Sequence, residues 1–359
     1  MKIAVVLGTR PEIIKLAPII DKLNKKNSAI IFTGQHYDFE LSYQFFDQLR
    51  VRKPDYSLKI ANSPPSTQMG EMMSKLPAIF NKSEFDTVIV QGDTNTVLAA
   101  AMSSLKCGIP VSHVEAGLRS FDWRMPEEHN RVATDHISEL LFAPTTSSKN
   151  NLVSEKVHGK IFVTGNTVID ALNKFADLPP RAGVLPDVDD FVLMTLHRAE
   201  NVDDKATLAS IMKAVVDSGE KIVFPIHPRT MQRLKDFGMY EKLSRKKNLR
   251  FVKSVGYLEM LDLMKRSRFI VTDSGGIQEE ATAPKIRKKV IVARKTTDRP
   301  DAVRAGFSVM AGTSYRAILS AIRQASKNPR ISKKDSPYGA GTSSQKIIEL
   351  IRKNLSNKS

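Results

Sequence analysis

Short apolar runs alternate along the chain with longer stretches in which apolar residues recur every three or four positions. The first pair predicts a strand over 2–7 and a helix over 11–26, where Ile13, Ile14, Ala17, Ile20 and Leu23 make one apolar stripe. Further strands are expected at 29–33, 87–91, 110–114, 140–143 and 160–164, with helical patterns between them. Residues 178–190, rich in Pro, Asp and Gly, read as a linker, after which the rhythm restarts with strands at 191–196, 221–226, 249–252, 268–272 and 290–293. Strand and helix in strict alternation require crossover connections, so the fold class is α/β, with two mostly parallel sheets covered on both faces. The expected domains are 1–170 and 171–340, and 341–359 forms a terminal helix that packs back on the first domain.

A length of 359 residues exceeds what one hydrophobic core serves, in keeping with two domains. The composition, 41% hydrophobic and 26% charged, is that of a globular protein and excludes disordered and collagen-like classes. Nowhere does the run of roughly 18 apolar residues needed for a membrane span occur, and no secretory leader is expected. One cysteine, Cys107, makes neither an intrachain disulfide nor a cysteine-rich zinc site, which suits the cytoplasm. The formal charge of +17 is uneven, with residues 1–170 near neutrality and the rest carrying +16. Clusters at Arg245–Lys247 and Lys285–Lys289 invite a polyanion-binding reading. Without aromatic interleaving or a nucleic-acid motif, a solvated basic face accounts for them better, and no nucleic-acid partner is expected.

Chemistry gathers at the predicted carboxyl ends of strands, where open α/β sheets bind ligands. The stretch RFIVTDSGGIQEE runs a buried strand into Ser274, Gly275 and Gly276 and then a helix start. Free N–H groups and the positive helix end make an anion site there, and glycines admit a diphosphate to the backbone. Glu280, about one turn further on, is placed to reach a ribose hydroxyl. The loop Gly8–Glu12 offers Arg10, and Lys15 one turn later, to the same diphosphate. Asp93 and Glu115 stand after two strands, where carboxylates are disfavoured unless they have a task. Glu127 and Glu128 open a helix after Pro126, either as dipole partners or as chemistry. His197 ends the first strand of the second set, and His227 is its analogue one strand later. His113 and Glu115 are expected to face opposite sides of their strand, so no metal site is predicted.

Taken in order, GTRPEIIKLAP, TGQH, QGDTNT, HVEAGLRS, MPEEHNR, LLFAPT, VTGNTVID, LHRAEN, PIHPRT, TDSGGIQEE, TTDRPDAV and PYGAG resemble the non-hydrolysing UDP-N-acetylglucosamine 2-epimerases over nearly the whole chain. The resemblance implies a GT-B architecture of two Rossmann-like domains with a cleft between them, commonly a homodimer. It implies conversion of UDP-GlcNAc to UDP-ManNAc without NAD or a required metal. By motif position, Asp93, Glu115 and Glu127 become the acidic catalytic set and His197 sits at the leaving diphosphate. Arg10, Lys15 and His36 meet the substrate, Arg131 supports the carboxylates, Ser274, Gly275 and Gly276 bind phosphate, Glu280 the ribose, and Arg299 the nucleotide. Residues 282–289 form a longer, more basic loop than is usual, and Ala340 replaces a usual Asp. Asp38 stands where a Gln is frequent and 61–70 holds no Arg, which argues against a second UDP-GlcNAc acting as activator.

The implied route breaks C1–O, so that oxocarbenium character acidifies C2–H; elimination gives a 2-acetamidoglucal and UDP, which re-adds. Crowding of the carboxylates is expected to raise at least one of their pKa values. The competing readings are an epimerase of a related UDP-acetamido sugar, a hydrolysing epimerase and a GT-B glycosyltransferase.

Overall fold

The computed structural model describes residues 1–35, 45–61, 63–331 and 334–355. It forms two compact units, Met1–Lys174 with Tyr338–Ser359, and Phe175–Pro337, so the chain passes between units twice.

In the first unit, strands β1 (Ile3–Leu7), β2 (Ser28–Phe32), β3 (Tyr56–Ser57), β4 (Thr87–Gln91), β5 (Val111–Val114), β6 (Leu140–Ala143) and β7 (Lys160–Val163) form one sheet in the order β3-β2-β1-β4-β5-β6-β7. Every pair is parallel. The central strands β1, β2, β4, β5 and β6 are buried along their whole length, as continuous apolar runs under helices on both faces should be. Met72, Leu76 and Phe80 of helix Pro65–Ser83 pack with Val88 and Val90 in the same core. The chain returns at Tyr338, and Asp170 accepts from the N–H groups of Ser343 and Ser344 at 3.2 and 2.8 Å. This caps helix Ser343–Leu355, which packs against helix Arg10–Ile20.

The second unit repeats the plan with β8 (Val192–Thr195), β9 (Ile222–Pro225), β10 (Leu249–Val252), β11 (Ile270–Thr272), β12 (Val290–Val292) and β13 (Ser308–Met310), ordered β10-β9-β8-β11-β12-β13 and all parallel. In each sheet the strand order reverses beside the first strand, between β1 and β4 and between β8 and β11. Such switch points leave a crevice at the carboxyl ends.

Two edge strands, β3 and β13, carry no readable apolar run and were not anticipated from the pattern; strands of two or three residues leave no periodicity to read. The first helix also stops at Ile20 rather than near 26. Asp21 ends it, and Asn24 then caps a separate turn at Lys25–Asn27 by accepting from the Lys26 N–H at 3.0 Å. Part of the basic loop at 282–289 is tied down, since Lys288 and Lys289 donate to the carbonyls of Ser267 and Asn328.

Candidate active site

At the first unit's switch point, Gly8 passes so close to its neighbours that an added Cβ would lie 2.2 Å from Thr96 Oγ1 and 2.3 Å from Thr33 Oγ1. Glu12, buried beneath the turn, accepts from the N–H groups of Gly8 and Thr9 at 2.8 and 2.6 Å and from Thr94 Oγ1 at 2.8 Å. One carboxylate therefore joins the loop after β1, which carries Arg10, to the loop after β4, which carries Asp93. Burial raises the Glu12 pKa against the opposing pull of those donors. It also fills the amides of Gly8 and Thr9 with the chain's own carboxylate.

Asp93 is gripped by Arg131 Nη2, and Arg131 Nη1 lies 3.1 Å from Glu128. Asn130 holds the Asp93 carbonyl at 3.0 Å. Glu128, almost wholly buried, accepts from the N–H groups of Ser120 and Phe121 and from Ser120 Oγ, so the second acid of the pair shapes the preceding loop. Glu127 is half-buried and is neither hydrogen-bonded nor ion-paired among the described residues.

Glu115 follows β5 in left-handed backbone, φ 71°, a region a non-glycine residue enters only when its surroundings hold it there. Lys15 Nζ meets its Oε2 at 2.5 Å, both side chains being buried, and Asn166 Nδ2 donates to the same oxygen at 2.9 Å. Asp93 and Glu115 thus each have a cationic partner. His113 is spent elsewhere, on Asp135 at 2.7 Å and the Gly92 carbonyl at 2.8 Å. Two residues apart on a strand would share a face; the left-handed turn at Glu115, not strand alternation, accompanies the different partners of the two side chains. Burial opposes the Asp135 charge, but His113 and Arg119 hold its carboxyl below the usual range.

The second switch point repeats the device. Asp273, with no exposed surface, accepts from the N–H groups of His197 and Arg198 at 3.0 and 2.8 Å and from Asn201 Nδ2 at 3.1 Å, and lies 3.2 Å from His197 Nδ1. Burial works against the charge, yet these partners keep the Asp273 carboxyl below its ordinary pKa. His197 is thereby fixed beside the Ser274–Gly276 turn, its ring 5.7 Å from that of His227, whose pKa is lowered by burial and then by His197. Ser274 caps helix Gly275–Glu280 by accepting from the Ile277 N–H. Arg299 is buried, its Nε 2.5 Å from Glu279 and its Nη1 3.0 Å from Asp298. Glu280 lies within electrostatic reach of Tyr257, whose buried hydroxyl has no hydrogen-bond partner among the described residues and whose pKa is pushed well up by burial and then by Glu280.

Within the first unit, then, Arg10, Lys15, Asp93, Glu115, Glu127 and Arg131 lie on the strand-end loops or the helices that follow them. His197, Ser274, Gly275, Gly276, Glu280 and Arg299 do so within the second. His36 and Asp38 lie outside the described residues. Glu12, Asp273, Asn166 and Tyr257 were not singled out by sequence reasoning. Glu12 had a signal, the Thr9-to-Glu12 spacing of a capping box. No group of three or more His, Cys, Asp or Glu among the described residues is arranged to hold a metal ion, and no helix there is long and apolar enough to cross a membrane.

Two parallel sheets with alternating helices, each with strand-end loops at its switch point, define an α/β protein of the GT-B class with two Rossmann-like units. The sequence model of the UDP-N-acetylglucosamine 2-epimerase family matches residues 20–352, and the chain belongs to that family, whose members are isomerases. It is 43% identical to the UDP-N-acetylglucosamine 2-epimerase of Methanocaldococcus jannaschii over 98% of this chain and 99% of that one. The crystal structure of the Methanocaldococcus jannaschii enzyme in complex with UDP-GlcNAc and UDP superposes with a TM-score of 0.87, at 42% identity, over 99% of this chain and 100% of the other. A UDP-2,3-diacetamido-2,3-dideoxy-D-glucuronate 2-epimerase from Pseudomonas aeruginosa is 36% identical over 98% of this chain and 100% of its own.

Proposed function

We propose that this protein interconverts UDP-GlcNAc and UDP-ManNAc, as a cytoplasmic homodimer. The observation that carries the reading is the second switch point, where Asp273 fixes His197 beside the Ser274–Gly276 turn. A diphosphate seated on that turn meets the amides of a helix start and an imidazole, and charge growing on it during C1–O cleavage is offset where it appears.

The proton on C2 of the sugar has no adjacent carbonyl, so no carboxylate removes it unaided. As the C1–O bond breaks and its electron pair leaves with UDP, C1 gains oxocarbenium character and C2–H becomes acidic. A carboxylate takes that proton, and the C–H pair forms the C1=C2 bond of 2-acetamidoglucal. Return of the UDP oxygen to C1, with protonation of C2 on the opposite face, gives the epimer. Two faces need two acid/base positions, which Asp93, Glu115 and Glu127 supply. Arg10, Lys15 and His36 contact the substrate and Arg131 orders Asp93; Glu280 takes the ribose and Arg299 steadies the nucleotide site through Glu279 and Asp298. The chemistry requires no nicotinamide and no metal ion.

In D₂O, purified protein given UDP-GlcNAc forms UDP-ManNAc carrying deuterium at C2. Asp93→Asn, Glu115→Gln, Glu127→Gln and His197→Asn each lower kcat by at least about a hundredfold, as expected for acid/base and charge-stabilising groups. Free ManNAc as the product, transfer of the sugar to an acceptor, or no solvent label at C2 would each refute the reading. Turnover of the diacetamido glucuronate at a higher kcat/KM than UDP-GlcNAc would move the assignment to that sugar.

A further inference from the structure

Lys15 and Asn166 both hold Glu115 from outside its own loop, and Asn166 is itself only 2% exposed. Each of its groups has a separate task. Nδ2 donates to Glu115 Oε2 at 2.9 Å, and Oδ1 accepts from the Val168 N–H at 3.0 Å, which caps helix Thr167–Phe175. The backbone N–H donates to the Tyr338 carbonyl at 2.8 Å. Tyr338 is the first residue of the first unit's returning segment, and helix Thr167–Phe175 ends where the chain leaves that unit. Packing keeps the contact in place: Gly165, at φ 87°, lies so close to the returning segment that a Cβ there would stand 2.8 Å from the Tyr338 carbonyl oxygen and 2.6 Å from Ser343 Oγ. Both chain crossings are therefore anchored, inside the first unit, through the residue that contacts Glu115.

Geometry at Glu115 needs such support. Its backbone is left-handed, and a carboxylate on strained backbone keeps one orientation only if its surroundings fix it. Lys15 supplies charge, but a lysine ammonium is a point donor on a flexible stem and sets direction poorly. The Asn166 amide, locked at both of its polar ends, sets direction well.

We propose that Asn166 is the positioning residue of Glu115, aiming its carboxylate at C2 of the sugar and favouring its ionised form. The inference rests on the assignment of Glu115 to proton transfer. Substitution Asn166→Asp separates this role from the helix cap, because an aspartate oxygen still accepts from the Val168 N–H while the donor to Glu115 is lost and a like charge is set against it. Expected for this variant are a melting temperature within a few degrees of wild type and an unchanged UDP affinity by calorimetry. Its kcat falls about ten- to a hundredfold, the loss of one hydrogen bond to a charged group. The acid limb of its kcat–pH profile moves to higher pH, since a carboxylate that loses a donor and gains a like-charged neighbour is harder to ionise. Asn166→Ala lowers kcat as well and, having lost the cap, also melts earlier. If Asn166→Asp leaves both kcat and the acid limb where wild type has them, while wild type epimerises, the positioning role is wrong and the proposed function stands. If wild type itself fails to epimerise UDP-GlcNAc, both fall together.

Discussion

Two buried carboxylates, Glu12 and Asp273, each join the loops of their own unit's switch point, Glu12 from the helix after β1 and Asp273 from the loop after β11, and have opposite electrostatic settings. The Asp273 pKa is depressed in the folded protein, so the stability it confers is present above the ordinary carboxylate pKa and is lost as pH falls through the depressed value. The Glu12 pKa is raised by burial, so its ionisation costs stability as pH rises through that raised value. Urea unfolding followed against pH should therefore show Asp273→Asn losing its deficit relative to wild type on acidification. Glu12→Gln should gain on wild type between mildly acid and neutral pH, because an amide keeps an acceptor for Gly8 and Thr9 without carrying charge. Parallel curves for wild type and both variants would contradict the settings. At this scale the sequence showed where Asp93, Glu115 and His197 stand, since each follows a strand, after β4, β5 and β8. Asn166 and Asp273 were opaque because their value lies in partners 51 and 76 positions away, Glu115 and His197, which no local pattern encodes.

Elements were read well where they are central and buried: β4 and β6 have the bounds that the apolar runs predict. Edge strands β3 and β13 escaped because a short strand paired on one side needs no continuous apolar sequence. The overrun of the first helix has a like cause, since apolar spacing persists to Leu23 after the helix has ended at Ile20. Close packing of elements at the first switch point gives its own prediction. Gly8→Ala inserts a methyl group between Thr33 and Thr96 and should cost about 1–3 kcal/mol by overpacking. A urea midpoint equal to wild type would show that the strand ends yield there. Gly70→Ala, where an added Cβ meets nothing within 4 Å, serves as the control and should leave the midpoint unchanged or slightly raised.

For the whole molecule, the doubling of one α/β plan was legible from alternation alone, while the exact points at which the chain passes between units were not. The linker composition at 178–190 drew attention to a segment that belongs to the second unit, where Arg181 is held by Glu259 at 3.0 and 3.1 Å. Packing, not composition, sets those points. The net charge of +16 after residue 170 stands apart from the chemistry proposed here, and its clusters are in part structural ties. The function proposed for the molecule turns on reversible departure of UDP from C1. The direct test is positional isotope exchange. UDP-GlcNAc is prepared with ¹⁸O in the bridge between C1 and the β-phosphorus, incubated with the protein, and followed by ³¹P NMR. Cleavage and return predict migration of the label into non-bridging β-phosphate positions, at a rate comparable to epimerisation. Solvent deuterium entering C2 while every label stays in the bridge would contradict the account, because the stereocentre would then have inverted with the C1–O bond intact.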